Sequence, residues 1–110
     1  MNIKLSNIKF PDDLSNNGFD NLIIKKENID RTKLEPIINF IELWFDKTSS
    51  YNKSVTSYNL KHIVERQIEI SVSNGELIAA MIACNYRYKK AGINAYFKVS
   101  LDALPRQKFK

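Results

Sequence analysis

Four cations alternate with tyrosines near the C-terminal end of the chain. Tyr86-Arg87-Tyr88-Lys89-Lys90 is followed, after a short connection, by Tyr96-Phe97-Lys98. Guanidinium and ammonium groups in such a row suit phosphate oxygens. Each phosphate neutralised releases a counterion, so binding of this kind falls steeply with salt. Upstream, Ser73-Asn74-Gly75-Glu76 carries the signature of a helix start, with Ser at the cap and Glu three residues on. The free N–H groups and dipole of a helix start favour an anion. Ser73 and Asn74 could therefore bond phosphate or base edges. With Lys61 and Arg66 from the preceding helix, the candidate nucleic-acid contacts are Lys61, Arg66, Ser73, Asn74, Arg87, Lys89, Lys90 and Lys98. Tyr86, Tyr88 and Tyr96 suit contact with sugar, stacking, or packing on a small sheet.

Catalytic chemistry finds no comparable pattern. Three glycines assemble no phosphate-cradling loop, and Ser73-Asn74-Gly75 is too short to imitate one. Asp12-Asp13 lie in a turn-like segment with no partner cluster for metal or acid–base work. His62 is the single histidine and Cys84 the single cysteine, so neither a Cys/His zinc site nor an internal disulfide can form. His62 reads as a structural hydrogen-bonding residue and Cys84 as a small core residue. No catalytic residue, metal or cofactor is expected, and the chain reads as a non-enzyme.

The candidate contacts need elements to position them. Leu34, Ile37, Ile38, Ile41, Trp44 and Phe45 recur at helical spacing. That predicts a first helix over about 32–46, with Thr32 and Glu35 as its capping box. A second helix starts at Thr56 or Ser57. Leu60, Ile63, Val64, Gln67 and Ile68 share one of its faces, and Lys61 stands four residues before Glu65. Ile70-Ser71-Val72 alternates like a very short strand. A third helix follows over about 74–84, with Leu77, Ile78, Met81 and Ile82 inward, Glu76, Ala79, Ala80 and Ala83 outward, and Asn85 as its stop. Two strands, over 86–89 and 94–100, then form a hairpin through Ala91-Gly92-Ile93-Asn94, with Lys89-Lys90 at its tip.

That order of elements is the order of a winged helix-turn-helix. The expected fold class is α+β: three helices plus a C-terminal β-hairpin wing, with an N-terminal extension. Residues 1–29 are an N-terminal arm or small β extension, with a candidate strand over 21–26. Residues 30–104 form the winged-helix domain, and 105–110 a basic tail. A length of 110 residues with 44% hydrophobic and 26% charged side chains suits one globular domain.

The net charge of +5 falls wholly in residues 58–110, which hold nine Lys and Arg against four Asp and Glu. Residues 1–57 balance eight against eight. Such an asymmetry is the footprint of a binder of nucleic acid or of acidic protein. No apolar run approaches the ~18 residues that span a bilayer, and no signal-peptide pattern is present. The expected setting is the cytoplasm, without a membrane. The third helix offers no Arg, Lys or Gln through Cys84. Phosphate and wing contacts are therefore expected to dominate over direct base readout.

Ser57-Tyr58-x-Leu60-Lys61-His62-x-x-Glu65, then residues 72–80, then Asn94-Ala95-Tyr96-Phe97 resemble small uncharacterised proteins of phages, prophages and conjugative elements. The likeness covers about residues 40–100. The segment also looks like winged-helix parts appended to mobile-element replication proteins. The resemblance implies a mobile-element setting and a winged fold, and it transfers no catalytic or binding residue. The leading expectation is a DNA-binding winged-helix protein, a regulator or replication accessory with duplex as the favoured target. The alternative is a protein-interaction module on the same fold, such as a phage-encoded, anti-CRISPR-like inhibitor of a host defence nuclease. A homodimer is compatible with either.

Overall fold

A helix that is apolar on every side belongs in an interior, and residues 77–83 supply such a run. The computed structural model describes residues 8–19 and 29–104. In it helix α3 (Asn74–Ala83) is buried along nearly its whole length, Ala79, Ala80 and Ala83 included. The expectation of an outward face made of Glu76, Ala79, Ala80 and Ala83 is corrected, since all four are buried. The small side chains admit close neighbours rather than solvent. Helix α1 (Leu34–Trp44), helix α2 (Ser57–Ile68) and the hairpin of β1 (Leu14–Ser15) and β2 (Gly18–Phe19) all pack against α3.

The remaining strands are short and antiparallel. Strand β3 (Asp46–Lys47) pairs with β6 (Val99–Ser100), and β4 (Tyr88–Ala91) pairs with β5 (Asn94–Phe97). The architecture is thus a small α+β structure of three helices and three two-stranded sheets among the described residues. Its core joins Leu34, Ile37 and Ile41 of α1, Leu60 and Val64 of α2, and Leu77, Ile78 and Met81 of α3 with Phe97 of β5. Leu14 and Phe19 enter the same core from the N-terminal side.

Local chemistry explains the element boundaries. Asp30 accepts hydrogen bonds from the Thr32 amide (3.1 Å) and hydroxyl (2.6 Å). These bonds hold the Asp30 carboxyl below its ordinary range. The chain therefore turns first through a 3₁₀ segment, Arg31–Lys33, and α1 begins without a side-chain cap. The expected Thr32–Glu35 box is not what starts it. Ser73 and Glu76 do form the expected box, with Ser73 Oγ accepting from the Glu76 amide at 3.0 Å and Glu76 Oε1 from the Ser73 amide at 2.9 Å. Helix α3 ends as expected at Asn85, which takes the left-handed conformation (φ 67°). The Tyr86 amide reaches the Met81 carbonyl and the Asn85 amide that of Ile82, the paired bonds of a Schellman cap.

The strand expected at 70–72 does not form. The Val72 amide instead donates to the Glu65 carboxylate at 2.8 Å, which removes the donor a strand ladder would use. Lys61 (3.4 Å) and His62 (3.2 Å) converge on the same carboxylate. Burial alone pushes the Glu65 carboxyl up. The Val72 amide, Lys61 and His62 together outweigh it and leave the group below its ordinary value. The candidate strand over 21–26 and the basic tail over 105–110 lie outside the described residues.

Candidate functional site

Strand parity decides which hairpin cations face outward. Ala95 and Phe97 of β5 are buried, so Tyr96 lies on the other face, and continued alternation carries Lys98 with it. The register sets Lys89 opposite Tyr96 and Lys90 opposite Ala95. Lys89 is exposed on the outer face beside Tyr96. The ladder runs one step further, because the Lys98 amide donates to the Arg87 carbonyl at 3.1 Å. Arg87 and Lys98 thus stand opposite one another. The Lys98 ammonium leans over the ring of Tyr51, 5.1 Å from its centre. Tyr51 donates its hydroxyl to the Tyr88 carbonyl at 3.3 Å. None of Arg87, Lys89 and Lys98 is held in an ion pair among the described residues.

Lys90 belongs elsewhere. The turn of the hairpin is Gly92-Ile93, with Gly92 at φ 64° and open space around it, so the tip carries no cation. Lys90 shares the inner parity of Tyr88. It pairs with Asp13 and lies 4.8 Å from the ring centre of Phe19. The placement of Lys89-Lys90 at the tip is corrected on both counts.

The start of α3 is already occupied by the chain itself. The Gly75 amide donates to the Asn16 carbonyl at 2.9 Å, and Ser73 Oγ donates to Asn16 Oδ1 at 3.0 Å. The Asn74 side-chain amide donates to the Asn17 carbonyl (3.0 Å) and Asn94 Oδ1 (2.9 Å). Asn74 is buried, and its Oδ1 has no partner. Ser73 and Asn74 therefore tie the 14–19 hairpin to β5 and α3. With Lys61 and Tyr58 they line a cleft of about 420 Å³. Lys61 there is engaged with Glu65 and lies 5.5 Å from the Tyr58 ring centre. Arg66 stands exposed near the end of α2. The candidate residues divide: Arg87, Lys89 and Lys98 share one outer face, while Lys61, Ser73 and Asn74 share the cleft.

Charge is distributed less sharply than the sequence halves imply. The described residues hold eleven Lys and Arg against ten Asp and Glu. Three further cations, Arg106, Lys108 and Lys110, lie in the undescribed tail. The positive character of the hairpin is thus a matter of local arrangement.

Tyr51 is the member of the outer strip that sequence reasoning missed. An aromatic residue inside an otherwise polar loop was the available signal. The loop runs beside the hairpin, since the Thr48 amide donates to the Lys98 carbonyl and the Asn52 amide to that of Phe97.

A further cleft, of about 350 Å³, is lined by Glu42, Phe45, Asp46, Lys47, Cys84 and Tyr86. Burial, with help from Glu42 and against Lys47, pushes the Cys84 thiol up to about 12. Burial likewise pushes the Tyr86 phenol up. Below that range the sulfur is a thiol, and the thiolate is the nucleophile. Cys84 is therefore expected to resist alkylation by iodoacetamide from pH 7 to 9 (about the range of ordinary thiols) and to react once denaturant unfolds the chain. Rapid labelling of the native protein would contradict this. Among the described residues no group of three His, Cys, Asp or Glu side chains could hold a metal ion, and no helix is long and apolar enough to cross a membrane.

Compared with family models, with curated proteins and with solved structures, the chain finds no match.

Proposed function

We propose that this protein binds nucleic acid through the outer face of its β4–β5 hairpin, gripping phosphates rather than reading bases, in the manner of a winged-helix domain whose wing makes the main contact. A mobile-element regulator or replication accessory is the setting this reading fits. The observation that carries it is the Arg87–Lys98 pair. Like charges directly opposite on a strand pair destabilise it, and here Lys89 stands close by with no ion pair to relieve any of the three. The Lys98 ammonium finds partial relief over the Tyr51 ring, but among the described residues no carboxylate answers any of the three, and an anionic partner would supply that counter-charge. Helix α3, which would carry base readout, is enclosed.

The double substitution Arg87→Glu with Lys89→Glu tests the reading. Both side chains are exposed, so the fold is expected to survive. Affinity for DNA at low salt is expected to fall about tenfold or more. The slope of log K against log salt should also shrink by roughly 0.7–0.9 for each phosphate that the variant no longer neutralises. A protein that binds neither duplex nor single strand at low salt, or a variant that binds as well as its parent, removes the reading.

A second reading, docking on another protein, has its own observation. Tyr58 and Ile93 are each 51% exposed and line the same cleft. A protein partner retained after nuclease treatment, and released by Ile93→Ser, favours this reading over the first.

A further inference from the structure

We infer that the hairpin face takes single-stranded rather than duplex nucleic acid, with Tyr51 and Tyr96 as its base platforms. The inference rests on the nucleic-acid reading above and names the form of that ligand.

Duplex recognition by a small helical domain normally puts a helix into the major groove. Helix α3 is buried along nearly its whole length, its first turn included, and is roofed at its start by the 14–19 hairpin. No candidate residue from it reaches a groove. The outer strip instead combines two kinds of side chain. Arg87, Lys89 and Lys98 supply charge for a backbone. Tyr96, opposite Lys89, and Tyr51, under Lys98, supply partly exposed rings beside those charges. Cations tracking a backbone with aromatic rings at their side is how sequence-tolerant single-strand binders work, because every base has a face to stack. A paired duplex keeps those faces stacked inside itself.

The strip also ends on a concavity. Tyr51 itself lines a cleft of about 340 Å³, whose other walls mix the polar Thr48, Asn52 and Asp102 with the apolar Val99 and Leu101. Thr48, Asn52 and Ser100 there already bond within the loop and to the neighbouring strand, which holds the cleft in shape beside the Tyr51 ring. The Asp102 carboxylate repels phosphate, so the backbone is kept on the Arg87 and Lys98 side.

The experiment is fluorescence anisotropy with a labelled mixed-sequence oligonucleotide of about twenty nucleotides, long enough for several contacts, and with the duplex of the same sequence. The single strand is expected to bind about tenfold tighter or more. Tyr51→Leu and Tyr96→Leu, checked for folding by circular dichroism, should each weaken the single strand about tenfold. Their salt slopes should match the parent's, since removing a ring from a stack releases no counterion. Duplex bound as tightly as single strand, or folded tyrosine variants that bind like the parent, would overturn the inference while leaving the hairpin as a phosphate-binding face. Absence of binding to both forms sinks the inference together with the reading beneath it.

Discussion

Gly75→Ala is expected to cost about 3 kcal/mol of stability or more, although alanine is the better helix former by about 1 kcal/mol. The two effects oppose one another, and geometry decides the sign. A Cβ at position 75 would lie 1.8 Å from the Ser15 carbonyl oxygen, 2.7 Å from its carbon and 2.8 Å from Asn16 Cα. All three are backbone atoms, so no rotamer change relieves the overlap. The 14–19 hairpin must lift off α3. Lifting it breaks the Gly75–Asn16 and Ser73–Asn16 bonds and the bond from Asn74 to the Asn17 carbonyl. It also draws Leu14 and Phe19 out of the core. Gly92→Ala is the control. Gly92 has φ 64° and no atom within 4 Å, so only the left-handed penalty of about 1–2 kcal/mol applies. In thermal melts Gly75→Ala should fall further than Gly92→Ala, at about 4–8 °C for each kcal/mol of destabilisation. The ordering is the opposite of what φ alone would give. If Gly75→Ala melts at or above the parent, the seating of the hairpin on α3 is wrong.

That contact also shows where sequence reasoning stops. The Ser73–Glu76 box, the Asn85 stop and the Lys61–Glu65 pair all follow from spacings of a few residues. Period and capping chemistry are local, so a bare sequence carries them. The neighbours of Ala79, Ala80 and Ala83 are not local. A small residue on a helix fits solvent or close packing equally well, and only the elements laid over it decide which. Asn16 meets Ser73 across 57 positions, and no periodicity encodes such a meeting.

The cationic face shows the same division. Arg87, Lys89 and Lys98 follow from strand alternation. Alternation from Tyr88 puts Lys90 on the parity of Tyr88, and the register confirms it opposite buried Ala95, although the side chain stays half exposed beside Asp13. Reading Lys89-Lys90 as a pair at the tip set that parity aside. Tyr51 comes to the strip through hydrogen bonds between its loop and strands distant in the chain, 37 positions away at Tyr88 and 47 from Asn52 to Val99, which no local pattern announces.

Glu76→Ala is expected to cost about 2–3 kcal/mol, below the roughly 3–5 kcal/mol of removing one partner of a wholly buried pair. The carboxylate is 2% exposed. It accepts from the Ser73 amide at 2.9 Å and from the Lys33 ammonium at 3.2 Å, and so ties the start of α1 to the start of α3. Truncation leaves the Ser73 amide short of an acceptor and Lys33 without its partner. Lys33 is 41% exposed and can turn to water, which keeps the loss below that of a wholly enclosed pair. Glu76→Gln separates the two contributions. Its amide oxygen still accepts from Ser73 while the charge pair is gone, so about half the loss should return in urea denaturation. Equal losses for Gln and Ala would assign the whole effect to Lys33. The result bears on function as well. In the first turn of α3 the cap carboxylate is enclosed and paired with Lys33 and the Gly75 amide is bonded to Asn16, so neither group is offered to an approaching phosphate. On the proposed reading, phosphate contact therefore falls to Arg87, Lys89 and Lys98, which form no ion pair among the described residues.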